Sequence, residues 1–178
     1  MKLLFKKGYR IYRVFPEDWE EIEDEITILE LLAFKGGSDN KEQLEKVFTD
    51  PKNICLIAVC FDDEEEEICG YSSGGPLVKF KGRSRRPEIF PFLKNVKDED
   101  VFHVYSTAVH PGYQGRGIGT RLTKIQIKEA RKSGYKALTT HAMNDVIRRI
   151  NEKLGFEEVM FIKNCGSKGA SYMALILD

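Results

Sequence analysis

The stretch "VYSTAVHPGYQGRGIGTRLTKIQIKEA", residues 104–130, decides the fold. It opens with an apolar run of strand character, which breaks at His110-Pro111-Gly112. Three glycines follow at alternate positions, beginning with Gly115. Apolar residues then recur at helical spacing, which predicts an amphipathic helix over about 117–133. The stretch therefore predicts a strand, a glycine-rich turn and a helix in immediate succession.

The glycines leave the backbone of this corner uncovered. A glycine carries no Cβ atom, so a ligand can approach the main-chain N–H groups directly. Because a helix begins here, those N–H groups are the unpaired donors of its first turn, and the helix dipole adds partial positive charge. These features predict an anion site suited to a phosphate or pyrophosphate, with Arg116, Arg121 and Lys124 at its rim. The alternative is a glycine-rich tight turn without a ligand.

Two common phosphate-binding motifs do not fit the corner. A dinucleotide-binding motif needs a third glycine where this chain has Thr120, and the acidic residue expected about twenty positions later is absent from residues 137–141. A P-loop needs a lysine after its second glycine, but Ile118 follows Gly117. The corner is therefore neither a dinucleotide site nor a P-loop.

Hydrophobic periodicity along the rest of the chain predicts both strands and helices. Their order is a strand, two helices, three strands, a helix, a strand, a helix and two strands. We therefore expect an α+β (α/β mixed) fold on a mostly antiparallel sheet, in a single domain over residues 1–178. Residues 79–100 contain two prolines and mixed charges, which predicts an insertion or long loop within that domain.

The composition argues against several classes of protein. Lys+Arg and Asp+Glu both number 28, so the net charge is zero, which is unlike a general nucleic-acid binder. No apolar run is long enough to span a membrane, and the first residues lack the apolar region of a signal peptide. The four cysteines show no CxxC pair and no histidine at ligand spacing, which predicts no metal site. Cys55, Cys60 and Cys69 lie in strand-like runs and are expected to be buried and reduced, as in a cytoplasmic protein.

Two segments of the chain match the pattern of one known family. "VHPGYQGRGIGTRL" carries the signature Q/R-x-x-G-x-G/A, with Gln114, Gly117 and Gly119 at the defining positions. "NDVIRRINEKLGFEEV" (144–159) matches a later block in which an Asn opens a helix that ends in "LGF". The chain thus resembles the GCN5-related N-acetyltransferase (GNAT) family over roughly residues 9–177. The resemblance implies the GNAT fold, a central and mostly antiparallel sheet of six to seven strands with about four helices, splayed at the strand before the signature turn.

The resemblance implies acetyl-CoA, or another acyl-CoA, as co-substrate, and no metal. Its pyrophosphate would lie on the amides of residues 114–119, and its pantetheine arm along the end of the preceding strand. An amide of that strand would polarise the thioester carbonyl. Asn144 matches the family Asn that hydrogen-bonds the cofactor near the thioester. The predicted cofactor-binding residues are Thr107, Ala108, Val109, Gln114, Gly115, Arg116, Gly117, Ile118, Gly119, Thr120 and Asn144.

The acid and base positions depart from the family pattern. A tyrosine that serves as general acid is common where this chain has Asn151, and an amide cannot donate a proton as a phenol can. A glutamate is frequent at the place of Tyr105, but the strand over 101–109 carries no carboxylate. His103 is then the first candidate base, because an imidazole titrates near neutral pH; the alternative is a buried strand histidine. The candidates for proton transfer are His103, Tyr105, Asn151, His141 as a second base, and Tyr172 or an ordered water as substitutes for the acid.

The resemblance implies an N-acetyltransferase that transfers acetyl directly to a primary amine of a small molecule or peptide. The alternative is a non-catalytic acyl-CoA-binding sensor or assembly module, which Asn151 favours. Acidic residues in 17–25 lie mostly off the apolar stripe of their helix, which favours a solvated helix face; the alternative is an acidic rim that attracts a cationic acceptor. Basic residues in 79–86 would attract an acidic partner, so the acceptor stays open. Apolar residues of the insertion would cover the acceptor cleft or meet a second subunit, which allows a homodimer. Cys165 lies in a predicted loop and is expected to be inert.

Overall fold

The computed structural model of the chain describes residues 8–34, 39–62, 65–79, 93, 95–163 and 169–177. Over these residues the chain forms seven strands and four α-helices, in the order that the sequence predicts. The strands are β1 (Tyr9–Val14), β2 (Ile54–Asp62), β3 (Glu65–Pro76), β4 (Val101–Val109), β5 (Ala137–Ala142), β6 (Glu157–Ile162) and β7 (Ala170–Ile176). The helices are α1 (Trp19–Ala33), α2 (Lys41–Phe48), α3 (Ile118–Lys132) and α4 (Asp145–Lys153).

The seven described strands lie in one sheet, in the order β1-β2-β3-β4-β5-β7-β6. The pairs β1–β2, β5–β7 and β6–β7 are antiparallel, whereas β4 and β5 run parallel. The β4–β5 register joins residues 101–103 to residues 137–139 and covers only the first part of β4. The predicted fold class, a mixed and mostly antiparallel sheet with helices, is therefore confirmed.

Residue contacts divide the chain into two compact units, and the first comprises Met1–Ser73 and Ser106–Thr123. In this unit α1 buries one apolar stripe, as expected for an amphipathic helix. The buried apolar members of the stripe are Trp19, Ile26 and Leu29. The ring centre of Phe48 on α2 lies 5.1 Å from that of Trp19 and 5.7 Å from that of Tyr71 on β3. The core of the unit is thus a cluster of aromatic and aliphatic side chains between α1, α2 and β3.

The second unit comprises Gly74–Tyr105 and Lys124–Asp178. Its apolar cluster packs the start of β4 against β5 and β7 through Val101, Ala137 and Tyr172. β5 is buried along almost its whole length, because it lies between β4 and β7 in the sheet. The start of β4 is therefore held on the side of β5 by hydrogen bonds and by apolar contacts.

The expectation of reduced cysteines is wrong at two positions. Cys60 on β2 and Cys69 on β3 are joined by a disulfide, and both are buried. The two residues become neighbours because β2 and β3 are adjacent in the sheet, and the sequence does not show which residues of the two strands face each other. Cys55 is buried and free, and burial raises the pKa of its thiol to about 12, so it is protonated at neutral pH. Cys165 lies outside the described residues.

Most of the predicted insertion over residues 79–100 lies outside the described residues. Its described end contains a 3-10 turn, Asp98–Asp100, which leads directly into β4. A single domain over residues 1–178 stays a prediction. Within the described ranges, no helix combines the length and the apolar character needed to cross a bilayer.

Gly74 on β3 is expected to accept no side chain. A Cβ atom there would lie 2.7 Å from the carbonyl oxygen of His103 and 2.5 Å from a ring carbon of Phe102. Because a strand carbonyl cannot move aside, we expect Gly74→Ala to lower the free energy of unfolding by about 1–3 kcal/mol. Gly8→Ala is the control, since a Cβ there meets no atom within 4 Å. Denaturant unfolding measures both variants, and wild-type stability of Gly74→Ala would contradict this close packing.

Candidate active site

The glycine corner forms a tight connection from β4 to α3. β4 ends at Val109, a 3-10 turn follows at Pro111–Tyr113, and α3 begins at Ile118. The ring of His110 closes the turn, because its Nδ1 accepts a hydrogen bond from the N–H of Gly112 at 3.1 Å. The predicted succession of strand, turn and helix is therefore confirmed, and His110 belongs to the turn.

Two glycines of the corner have left-handed backbone conformations. The φ angle is 77° at Gly115 and 80° at Gly117. Residues with a Cβ atom rarely adopt this region. A Cβ atom built at either position would meet no atom within 4 Å. The backbone thus requires glycine at both positions, and the space next to them is open.

The corner presents a row of main-chain donors. The first hydrogen bond that leads into α3 joins the N–H of Arg121 to the carbonyl of Gly117 at 3.0 Å. Among the described residues, no hydrogen-bond acceptor is found for the N–H groups of residues 115–120. Residues 114–117 are exposed. Unpaired amides at a helix N-terminus favour an anion, so the corner fits a pyrophosphate group.

Side chains of the signature brace the turn. Gln114 donates from Nε2 to the carbonyl of Val109 at 3.1 Å and so ties the end of β4 to the turn. Arg116 donates to the carbonyl of Gly112 at 3.2 Å, and its guanidinium carbon lies 4.9 Å from the ring centre of Tyr113. Both side chains therefore hold the turn, in addition to the cofactor contacts that the sequence predicts for them.

The last residues of β4 lead the backbone into the corner. Thr107 is partly exposed, and its hydroxyl lies 2.8 Å from that of Ser72 on β3. Ala108 is buried. Val109 approaches Gly119, where a Cβ atom would come within 3.6 Å of a Val109 methyl group. The recorded register with β5 ends before these three residues, so the strand is not paired there as it is at its start.

Asn144 caps helix α4. Its Oδ1 accepts a hydrogen bond from the N–H of Ile147 at 2.9 Å, which satisfies one donor of the first turn. Asn144 is exposed. Its side-chain nitrogen has no acceptor within the part of the chain that the structure describes. The residue therefore keeps a donor for a ligand while its oxygen serves the helix.

Imidazole and phenol rings cluster around His103 in the second unit. His103 is fully buried, and its Nδ1 lies 2.8 Å from the hydroxyl of Thr139. Between ring centres, His103 lies 5.2 Å from His141, 6.1 Å from Tyr172 and 6.0 Å from Tyr105. The structure thus brings together both candidate bases and both candidate tyrosines.

Burial sets the protonation of His103. Burial first, and the neighbouring His141 second, lower the pKa of His103 well below its usual range. His103 is therefore neutral at neutral pH, in the form that can accept a proton, although the lowered pKa makes it a weaker base. Tyr105 differs from it, because Tyr105 is partly exposed and its hydroxyl donates a long hydrogen bond to the carbonyl of Pro76 at 3.5 Å.

Comparison with known proteins gives the family. A family model described as "Acetyltransferase (GNAT) family" matches residues 9–156, which include β4, the corner and the whole of α4. This chain belongs to the GNAT family. Membership confirms the resemblance carried by the signature, and with it the acetyltransferase class and acetyl-CoA as the co-substrate of that class.

Three relatives illustrate the similarity. The N-alpha-acetyltransferase RimI of Mycobacterium tuberculosis (strain ATCC 25618 / H37Rv) is 36% identical over 90 residues, which are 51% of this chain and 51% of that protein. The chain thus matches about half the length of this relative. The ribosomal-protein-S18-alanine N-acetyltransferase from Escherichia coli has a TM-score of 0.70 at 17% identity, over 96% of this chain and 95% of its own. Arabidopsis thaliana NAA60 in complex with acetyl-CoA has a TM-score of 0.67 at 18% identity, over 96% and 99%. At these identities the two structures support the GNAT fold alone.

Asn151 departs from the GNAT pattern in its contacts as well. Its side chain is buried, and its Nδ2 lies 3.7 Å from the sulfur of Met173 on β7. Its main-chain carbonyl accepts hydrogen bonds from the N–H groups of Leu154 and Phe156 at 2.9 and 3.0 Å, where α4 ends. Among the described contacts, Asn151 meets none of the rings around His103. The contacts of Asn151 are therefore those of a residue that packs and ends a helix.

A buried carboxylate near β4 of this GNAT protein is missing from the site residues predicted from the sequence. Glu30 on α1 is fully buried, and the hydroxyl of Tyr71 donates to its Oε2. The same hydroxyl lies 3.1 Å from Oγ of Ser106 on β4. The one signal in the sequence is that Glu30 lies inside the apolar stripe of α1, a turn after Ile26. A carboxylate thus lies next to a strand that carries none of its own.

Replacement of Gly117 is expected to weaken acetyl-CoA binding in addition to its cost to the fold. Gly117→Ala places a methyl group in the open space beside the amide row, and the positive φ costs about 1–2 kcal/mol of stability. We expect the Kd of acetyl-CoA to rise about tenfold or more, since hydrogen bonds to a charged group are worth roughly 1.5–3 kcal/mol each. Gly134→Ala is the matched control, because Gly134 has a φ of 84° and open space but follows α3. Calorimetric titration that gave equal affinities for both variants would contradict the pyrophosphate assignment.

Buried His103 is expected to make stability depend on pH. Because its pKa is lowered in the folded chain, the unfolded chain takes up a proton that the folded chain excludes. Neutral, buried His103 therefore leaves the free energy of unfolding undiminished above the ordinary imidazole pKa of about 6.5. Below that pH the free energy of unfolding falls by up to about 1.4 kcal/mol per pH unit. His103→Gln should remove this part of the slope in denaturant unfolding, whereas His110→Gln, in the turn, should keep it. A slope that His103→Gln leaves unchanged would refute the assignment.

Proposed function

We propose that this protein transfers the acetyl group of acetyl-CoA directly to a primary amine. The observation that carries the proposal is the corner between β4 and α3. It combines a row of amides that have no acceptor among the described residues, two glycines with positive φ, and open space beside them. Membership of the GNAT family over residues 9–156 supports the same reaction class.

The first unit would hold the pyrophosphate and the pantetheine arm of the acyl donor. The N–H groups of residues 115–120 would bind the pyrophosphate, with Gln114 and Arg116 beside them. Residues 107–109 would follow the pantetheine arm, and one of their amides would polarise the thioester carbonyl. Asn144 would donate a hydrogen bond to the cofactor from its side-chain nitrogen, because the cap of α4 uses only its side-chain oxygen. Acetyl-CoA itself supplies an activated acetyl group and a thiolate leaving group.

The rings around His103 would handle the proton that passes from nitrogen to sulfur. Tyr105 is partly exposed, and we assign to it the donation to the departing thiolate, because Asn151 occupies the place of the family tyrosine. His103 is neutral and its ring centre lies 6.0 Å from that of Tyr105, so it would accept the proton from the nitrogen and then restore to Tyr105 the proton given to the thiolate. Asn151 would act through the packing of α4 against Met173.

The α-amino group of a protein or peptide is the acceptor that we favour. The name of the M. tuberculosis relative, an N-alpha-acetyltransferase, supports this choice. An open groove of about 450 Å³ in the first unit also supports this choice. Glutamates of the 3-10 turn Pro16–Asp18, of α1 and of α2 line the groove. These glutamates are Glu17, Glu20, Glu23 and Glu45, of which Glu23 already pairs with Lys41 at 2.8 Å. An acidic surface raises the local concentration of cations, and the acceptor amine is a cation in solution. A small-molecule amine is the second acceptor class.

A CoA-binding module without catalysis is the second candidate function. The observation that favours it is Asn151, whose buried amide contacts a methionine sulfur and has no proton to give at neutral pH. Tight acetyl-CoA binding without transfer to any amine would support this module.

We propose a cytoplasmic site of action, where acetyl-CoA would be supplied by metabolism. The Cys60–Cys69 disulfide is instead typical of oxidising compartments. Alkylation of thiols during cell lysis, followed by mass spectrometry of the peptide pair, decides between a reduced and an oxidised pair in the cell. A homodimer is also part of the proposal, and light scattering measures it.

Transfer to an amine panel tests the proposed function. The panel contains a peptide with a free N-terminal alanine, the same peptide with its N-terminus blocked, spermidine and an aminoglycoside. We expect release of free CoA thiol, and a mass increase of one acetyl group, with the free peptide and not with its blocked control. Acetylation of spermidine or the aminoglycoside alone would contradict the α-amino assignment. Binding of acetyl-CoA without any transfer would favour the non-catalytic module.

A further inference from the structure

A carboxylate is fixed in the interior of the first unit, next to β4. Glu30 and Tyr71 are both fully buried. The Tyr71 hydroxyl donates to Oε2 of Glu30, and the main-chain N–H of Asp39 donates to Oε1 at 3.3 Å. A buried carboxylate needs hydrogen bonds of this kind on its oxygens. Glu30 is therefore a fixed internal group and not a side chain of the solvated face of α1.

A chain of hydrogen bonds connects Glu30 to a partly exposed hydroxyl on β4. Oγ of Ser106 lies 3.1 Å from the hydroxyl of Tyr71, and Ser106 is partly exposed. The carbonyl of Ser106 accepts a hydrogen bond from Oγ of Ser72 at 3.3 Å, which fixes this part of the strand. Burial, followed by the charge of Glu30, raises the pKa of Tyr71, so its hydroxyl keeps a proton. Tyr71 can then pass a proton on only by accepting one as it gives one.

The proposed reaction needs an acceptor for one more proton than the rings around His103 handle. A primary amine in neutral solution is mainly an ammonium ion, which has no lone pair with which to attack the thioester. One proton must leave the nitrogen before attack. A second must move from nitrogen to sulfur, as the C–N bond forms and the C–S bond breaks. Tyr105 and His103 are assigned to the second proton, and the first needs a separate path.

We infer that Ser106, Tyr71 and Glu30 form the path that removes the first proton from the acceptor ammonium. The ammonium gives its proton to Oγ of Ser106, the Ser106 proton passes to the Tyr71 oxygen, and the Tyr71 proton passes to the Glu30 carboxylate. The amine gains its lone pair and Glu30 becomes a neutral acid. The path runs in reverse once the product has left, and the proton goes to water. Ser106 is the catalytic residue of the path, and Tyr71 and Glu30 are positioning residues that act through it.

Conservative variants of each member test the path, which rests on the proposed function. Glu30→Gln, Tyr71→Phe and Ser106→Ala each remove one proton-carrying group and keep the size of the side chain nearly unchanged. Glu25→Gln is the matched control, because Glu25 is also a carboxylate of α1 that accepts from β3, from the N–H of Ile68 at 3.2 Å. It has no recorded contact with Ser106. The acceptor is the peptide with a free N-terminal alanine, and the measurements are kcat and kcat/KM against pH, the Kd of acetyl-CoA, and the melting temperature.

The expected result is a lower kcat together with a displaced pH profile. Each variant of the path should lose about 10²-fold in kcat, the usual effect of losing a proton-transfer group. The Glu30→Gln/Tyr71→Phe double variant should lose no more than either single variant, since both act on one path. The acidic limb of kcat/KM should move up toward the pKa of the free α-amino group, about 8, because only amine that is already neutral would react. The Kd of acetyl-CoA should not change, and Glu25→Gln should keep the wild-type profile.

Three results would overturn the inference. The first is an acidic limb that stays in place in both Glu30→Gln and Tyr71→Phe. The second is a set of additive losses that follow the melting temperature and the affinity for acetyl-CoA, which would mean a structural role only. The third is the absence of turnover by the wild-type protein, which would overturn the proposed function as well. Wild-type turnover with unmoved variant profiles would overturn the proton path alone.

Discussion

The candidate site depends on a backbone that must turn left-handed at two positions within three residues. Gly115 and Gly117 have φ angles of 77° and 80°, and the N–H groups of residues 115–120 have no hydrogen-bond acceptor among the described residues. The first turn of α3 adds its dipole to these amides. Gln114 and Arg116 brace the turn from its two sides. The candidate anion site is thus formed by the main chain, and the side chains of Gln114 and Arg116 hold that backbone in place.

This part of the site could be predicted from the sequence because its causes are local. A turn with positive φ favours glycine, and the start of a helix leaves its first amides unpaired. Both features depend on only a few consecutive residues. The same holds for β4, whose predicted bounds, 101–109, agree with the structure, and for α2, the second of the two helices predicted after the first strand. At α2 the cause is visible, since Asn40 and Gln43 exchange the two hydrogen bonds of a capping box. Periodicity and capping act over one or two turns, so a single sequence is enough to record them.

The remainder of the site depends on pairs of residues that are distant in the chain. Glu30 and Tyr71 are 41 residues apart, and His103 and Thr139 are 36 apart. Cys60 and Cys69 are close in sequence, but their bond depends on which residues of β2 and β3 face each other. Alternation along β4 identifies His103 as a strand residue without revealing that the sheet buries it completely. Because a protonation state follows from burial and neighbours, the sequence predicted which groups could carry protons and could not predict which charge each would hold.

Burial also explains why two different groups suit the two proton transfers of the proposed reaction. Burial disfavours charge, so a buried imidazole that accepts a proton becomes less stable. His103, fully buried beside His141, is therefore suited to hold a proton only briefly, as in the passage from nitrogen to sulfur. Glu30 is held by hydrogen bonds from Tyr71 and from the amide of Asp39, so geometry fixes its place at the end of the proposed path. On this reasoning a GNAT protein with Asn151 in place of the tyrosine and without a carboxylate on β4 still has a chemical group for each step. That carboxylate belongs to Glu30 of α1, and the hydroxyl of Tyr71 on β3 connects it to Ser106 on β4.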